Sequence, residues 1–183
     1  MLKLIVFVAL SVPIVYISRN SLRSPRSHGF FRFFAWEAIL ALVLLNLDCW
    51  FCDPFSVHQI VSWALLIISI CPVLEGVRLL RHVGRPSETR QADVPMLDFE
   101  KTTTLVTTGL YKYIRHPLYS SLLFLAWGVF FKAPSWLSGV LALFATSFLI
   151  ATAKMEEAED VRFFGSAYEA YKKQSKMFIP FLF

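Results

Sequence analysis

Apolar residues run almost unbroken over residues 2–18, 33–52 and 58–80. Each run is close to the ~20 residues that cross a hydrocarbon core as a helix. A longer apolar stretch, 117–151, is interrupted only by Lys132, Ala133, Pro134 and Ser135, where a charge and a proline divide two helical runs into a hairpin. The first run is flanked by Lys3 on one side and by Arg19, Arg23 and Arg26 on the other, with no small-residue cleavage signal between. It is expected to remain as a helix rather than to be removed as a signal peptide. The pattern therefore predicts an all-α fold, a polytopic membrane helix bundle of about five transmembrane helices. Beyond residue 151 the period changes, and Val161, Phe164, Tyr168 and Tyr171 recur at steps of three and four. This predicts an amphipathic C-terminal helix at the cytoplasmic surface.

Composition supports a bilayer as the solvent. Of 183 residues, 56% are hydrophobic and 17% charged, and mean hydropathy is +0.57. That length accommodates one integral membrane domain over 1–183, with three N-terminal spans in 1–80 and a ligand-binding core in 81–183. The formal charge of +5 does not point to nucleic acid, because the basic residues fill gaps between apolar runs rather than one face of a soluble element. All eighteen Lys and Arg except Lys3 and Lys132 fall in 19–32, 78–115 and 154 onward. Five spans place those segments on one side, and the positive-inside rule then puts the N-terminus outside and the C-terminus in the cytoplasm.

Ionisable residues inside apolar runs, Glu37 and Glu75, are expected to pair structurally, Glu75 with Arg78 and Glu37 with Arg32 or Arg78. The three cysteines, Cys49, Cys52 and Cys71, cannot by themselves build a disulfide framework or a four-ligand zinc site, and no metal is expected. Cys49 and Cys52 form C-W-F-C, whose simplest reading is apolar packing. The long polar connection that includes Pro86, Ser87, Glu88 and Thr89 exceeds ordinary loop length.

Two stretches carry the chemistry. Residues 105–119 contain Gly109, suited to a tight turn and close backbone approach, and Pro117, suited to the first turn of a helix. Arg115, His116 and Tyr119 would then gather at a helix N-terminus, where free N–H groups and the dipole favour an anion. Residues 154–171 bring Glu156, Glu157, Glu159 and Asp160 to the same layer, where Glu159 reads as a solvated charge. Carboxylates opposite an anion-binding helix start complement a zwitterion. Tyr168 and Tyr171 read as packing residues.

Together the stretches, L-V-x-x-G-x-Y-x-x-x-R-H-P-x-Y from Leu105 to Tyr119 and then Glu156-Glu157, Phe164-Gly165 and the paired tyrosines, resemble the isoprenylcysteine carboxyl methyltransferase and phospholipid methyltransferase superfamily over residues 96–180. The resemblance implies a cytoplasmic pocket for S-adenosyl-L-methionine formed by Leu105, Val106, Tyr111, His116, Pro117, Leu118, Tyr119 and Glu156. It also implies His116, Arg115 and Glu157 as catalytic candidates and a lipid-like or small apolar methyl acceptor arriving from the bilayer. Two positions depart from the carboxyl methyltransferases. Thr103 stands where they have a histidine, and Thr152 stands where they have the arginine implied to engage the acceptor carboxylate, with Lys154 or Arg115 as possible replacements. Alternatives are a phospholipid N-methyltransferase, an NADPH-dependent membrane reductase of the sterol reductase type, and a non-enzymatic scaffold. Adjacent acids suit a phosphate-rich cofactor poorly.

Overall fold

The computed structural model describes residues 1–87 and 95–182; Glu88 and Thr89 lie outside the described residues. Six α-helices follow in order: α1 (Leu2–Leu22), α2 (His28–Leu45), α3 (Val57–His82), α4 (Pro117–Phe130), α5 (Trp136–Phe164) and α6 (Ser166–Gln174). Short 3-10 turns cover Leu47–Cys49, Asp98–Glu100 and Gly109–Lys112. No strand occurs among the described residues, and the fold is the expected all-α membrane bundle.

Helices α1, α2, α3 and α5 are long and apolar enough to cross a membrane, and α4 is shorter. Burial follows the membrane pattern. Ala38, Ile39 and Leu42 of α2, Ala126 and Val129 of α4, and Ala142 and Ala145 of α5 form the core, while Leu4, Ile5, Ile67, Leu74 and Leu143 point outward. Small residues on the inner faces let the backbones approach closely. The most extensive pairings are α2 with α5 and α3 with α4. A Cβ on Gly128 would sit 2.9 Å from Leu66, and one on Gly76 would sit 2.8 Å from Leu118, so only glycine admits α4 this close to α3.

Three elements differ from the pattern-based expectation. Helix α2 occupies 28–45 rather than 33–52, because Ser27 caps it by accepting from the Phe30 N–H at 3.2 Å. Its polar first turn is also enclosed rather than solvated, with His28 and Arg32 both buried. The helix stops at Asn46, whose Nδ2 donates to the Val129 carbonyl at 2.8 Å. Second, α5 runs 29 residues, about 44 Å at 1.5 Å per residue. Its charged end therefore continues the spanning helix well beyond a ~30 Å core. Gly165, with φ +59, turns the chain into α6, so the apolar face of Val161, Phe164, Tyr168 and Tyr171 is divided between two helices. Third, α4 has 14 residues, about 21 Å. It reaches the level of Asn46 at one end, and at the other it stops where a cavity begins.

The two ends of the bundle differ in make-up. At the end holding the N-terminus and the α2–α3 and α4–α5 turns, Lys132 is 1% exposed. Its Nζ donates to Gln59 Oε1 at 3.0 Å and lies 3.6 Å from the Trp63 ring centroid. Gln59 Nε2 in turn donates to the Cys49 and Lys132 carbonyls, each at 3.0 Å. The other end carries the α1–α2 turn, the α3–α4 connection and α6.

Candidate functional site

The α3–α4 connection is held to the C-terminal segment by a short parallel pairing. Arg115 N donates to Lys176 O at 2.8 Å, His116 N to Met177 O at 3.2 Å and Lys176 N to Tyr113 O at 2.9 Å. Ser120 Oγ adds a bond of 2.7 Å to Phe178 O. Gly109 (φ +59) lets the preceding turn lie against α3, where a Cβ would meet Leu79 at 2.6 Å and Glu75 at 3.2 Å. These anchors set His116 at the start of α4 with Pro117 in the first helical position.

Glu156 and Glu157 on α5 meet His116 from the side. Glu156 Oε2 lies 3.5 Å from His116 Nδ1, and Glu157 Oε1 lies 3.4 Å from His116 Nε2. Burial opposes a charge on His116, but the two carboxylates outweigh it and its pKa is pushed up to about 9. The two acids differ in their partners. Glu157 also accepts from Arg115 Nε at 2.7 Å and pairs with Lys172 Nζ at 2.7 Å. Glu156 Oε2 is enclosed and has no hydrogen-bond partner, a state that costs on the order of 1–3 kcal/mol unless something fills it.

Glu156 belongs to the wall of a cavity at the start of α4. Leu105, Val106, Tyr111, Arg115, His116, Leu118, Tyr119 and Glu156 all line it. Pro117 and Glu157 do not; Pro117 packs beside Gly76, and Glu157 is engaged by its three cationic neighbours. Further walls come from Leu80, Phe99, Glu100, Thr102, Asp160, Phe164, Tyr168 and Tyr171. Burial pushes the Tyr111 phenol well up, with Glu156 adding to it, so it stays neutral. Tyr171 donates from its hydroxyl to Tyr111 O at 2.6 Å, which ties α6 to the Gly109 turn.

Glu100 enlarges the site beyond the two stretches, and Asp160 of the second stretch joins the wall. Asp160 sits one turn after Glu156, a spacing that places it on the same helix face. Glu100 had no such signal, because it is brought in by tertiary pairing. Arg32 Nη1 donates to Glu100, and the Leu97 N–H donates to Glu100 Oε2 at 2.9 Å. Burial works against the Glu100 carboxylate, yet Arg32 and His28 hold its pKa below the usual range. His28 Nδ1 lies 2.5 Å from Glu159 Oε2, so Glu159 is a buried structural partner rather than a solvated charge. Arg32 is thereby taken by Glu100, and Glu37 instead accepts from Ser11 Oγ at 2.7 Å. Glu75 does pair with Arg78, at 3.6 Å. Thr152 is buried and donates to its own helix at Phe148 O, 2.7 Å. Lys154 is exposed, so among the two suggested replacements only Arg115 reaches the cavity wall.

A family model described as phospholipid methyltransferase matches residues 57–167, which span α3, the Gly109 turn, α4 and α5. The chain belongs to that family. It is 28% identical over 151 residues to the methanethiol S-methyltransferase of Crocosphaera subtropica, covering 82% of this chain and 55% of that protein. It is 36% identical over 83 residues to the protein-S-isoprenylcysteine O-methyltransferase of Schizosaccharomyces pombe, 45% of this chain and 35% of that protein. The chain thus spans about half, or less, of the length of these relatives. No solved structure matches it. His28 and Arg32 lie outside the matched family region, so α2 supports the cavity from beyond the family core.

Proposed function

We propose that this integral membrane protein is an S-adenosyl-L-methionine-dependent methyltransferase whose cofactor occupies the cavity at the start of α4. The observation that carries this reading is the enclosed, unpartnered Glu156 Oε2 beside a protonated His116 and the α4 N-terminus. A carboxylate oxygen that makes no hydrogen bond of its own, with the His116 cation only as near as 3.5 Å, suits the cofactor's ammonium. The His116 cation and the free N–H groups of the α4 first turn suit its carboxylate. Leu80, Leu105, Leu118 and Phe99 offer apolar surface for the remainder. When bound, the cofactor supplies an electrophilic sulfonium methyl, so this chain's task is to align the acceptor and exclude water. Tyr111 and Tyr119, both buried at the wall, offer ring faces to positive charge.

The acceptor we propose is small and apolar or lipid-like, and it is not an anion. Glu100, Glu156 and Asp160 line the cavity beside Arg115 and His116, with Glu100 paired to Arg32 and Arg115 to Glu157. No lining arginine among the described residues is then free for an acceptor carboxylate or a phosphate-rich cofactor, which counts against the prenylcysteine carboxylate and against NADPH. Both the thiol acceptor in the name of the cyanobacterial relative and a neutral lipid headgroup suit this lining. The basic segments 19–32, 78–115 and 154 onward support an orientation with this end in the cytoplasm and the N-terminus outside.

Calorimetric titration of S-adenosylhomocysteine into the detergent-purified protein, with NADPH in parallel, tests the reading. Saturable binding of the first and none of the second is expected. NADPH binding alone would overturn the assignment.

A further inference from the structure

The C-W-F-C turn lies at the end of the bundle away from the cavity and takes no part in the proposed methyl transfer. Cys49 closes the 3-10 turn Leu47–Cys49, and the Cys52 N–H donates to the Cys49 carbonyl at 3.4 Å. Such an i, i+3 closure holds the two Cα atoms within about 7 Å, and disulfides bridge Cα separations of about 4.4–6.8 Å. Cys49 is half-buried and Cys52 exposed, and both are free thiols. The Cys52 Sγ sits 3.5 Å from the Asp48 carbonyl. The backbone between them is already held in place. Phe51 packs on Trp63 at 6.0 Å between ring centroids, Trp50 lies under the Lys132 ammonium at 5.4 Å, and Gln59 anchors the Cys49 carbonyl at 3.0 Å. Cys71, exposed on the outer face of α3, has no cysteine near it in the sequence.

We propose that Cys49 and Cys52 are a thiol–disulfide pair, forming a reversible intramolecular bond that fastens the α2–α3 turn on the face of the membrane opposite the cavity. Under the orientation argued above that face is the non-cytoplasmic one, where disulfides persist. The oxidant is a small aliphatic disulfide. The exposed Cys52 thiolate attacks one of its sulfurs, breaking that S–S bond, and the first small thiol leaves with the proton that Cys52 released. Cys49 then attacks Cys52 Sγ in the mixed disulfide, forming the Cys49–Cys52 bond, and the second small thiol leaves with the Cys49 proton. Two cysteines are oxidised and one small disulfide is reduced to two thiols. The neighbouring Cys49, with Asp53 and Asp48 contributing, raises the Cys52 pKa. Formation therefore quickens as pH rises toward alkaline values.

The test uses the full chain in detergent and does not depend on methyltransferase activity. Reduced protein is incubated with glutathione disulfide at pH 8, quenched in acid, denatured, and labelled with a maleimide-polyethylene glycol. All three cysteines label before oxidation, and one, Cys71, is expected to label after it, with an intact mass lower by two hydrogens. A Cys52→Ser variant, which has two cysteines, is expected to lose one label rather than two and to gain the mass of one glutathione on Cys49. Three labels persisting after oxidation, glutathione retained on both cysteines, or a bond between two copies of the chain would each overturn the proposal.

Discussion

Both ends of this bundle bury cations, and they treat them oppositely. At the closed end, Lys132 is enclosed by Trp63 and Gln59, Gln59 spends its amide on two carbonyls, and Ser62 Oγ donates to Gly128 O at 2.7 Å. No enclosed side-chain atom there lacks a partner among the described residues. At the open end, His116 is shared between Glu156 and Glu157, and Glu156 Oε2 makes no hydrogen bond beside a cavity. A helix bundle can enclose charge either as a finished hydrogen-bonded plug or as an unfinished one whose last partner is a ligand. The distinction is visible in individual atoms rather than in the number of charges.

The largest effect should come from pH, because it acts on the open end through His116. Its pKa in the folded protein, about 9, lies above the ordinary ~6.5. The stabilisation this contributes is fully present below pH 6.5, declines across the interval, and is lost once pH has risen through about 9. The size is on the order of 3 kcal/mol. Thermal unfolding in detergent between pH 6 and 10 is expected to show this fall, and His116→Gln should reduce it without abolishing it, because the buried His28 remains between Glu159 and Glu100. An unchanged profile in the variant would show that His116 does not carry the linked proton.

Replacing Glu156 by Gln should lower S-adenosylhomocysteine affinity on the order of a hundredfold, about 2.7 kcal/mol, the range for removing one partner of a buried charged contact. The melting temperature should fall modestly below pH 9, since the variant loses one of the two carboxylates beside the His116 cation. At the closed end Gln59→Leu should leave binding untouched. It strands the Lys132 ammonium and two carbonyls at a cost of about 2 kcal/mol, lowering the melting temperature while the folded fraction binds S-adenosylhomocysteine as before. If Gln59→Leu weakened binding as Glu156→Gln does, the two ends would be coupled and the contrast between them would fail.

The site was legible in the sequence wherever its residues are local. Pro117 at the first turn, Gly109 in the preceding turn, and Glu156 and Glu157 one after the other are close neighbours whose geometry follows from helix rules. The spanning helices were legible from apolar runs for the same reason. What escaped was long-range pairing. Arg32 sits four turns from the end of an apolar helix, and nothing local shows that it meets Glu100, 68 residues away. Glu159 likewise read as a solvated charge until the α2–α5 packing encloses it with His28, 131 residues away. The boundary of α2 moved with them, because those two pairings allow a polar first turn inside the bundle. The C-terminal strap on 113–116 is made of backbone hydrogen bonds, which side-chain patterns do not encode.

The smallest effect should follow from Lys172→Ala. Lys172 Nζ lies 2.7 Å from Glu157 Oε2, but its side chain is 37% exposed against 10% for Arg115 at the same carboxylate. Solvent screens an ion pair at such a position to less than about 1 kcal/mol. Arg115 remains, held also by the Ser175 carbonyl, and should keep Glu157 charged and in place. Cofactor-product affinity is then expected to change less than about threefold, with a melting shift of a degree or two. Arg115→Gln offers the matched comparison, since it removes the enclosed partner of the same acid. If Lys172→Ala proved the more damaging of the two, Glu157 would be governed from α6 rather than from the α4 start. The saturated acid, not Glu156, would then be the one whose charge the cavity depends on.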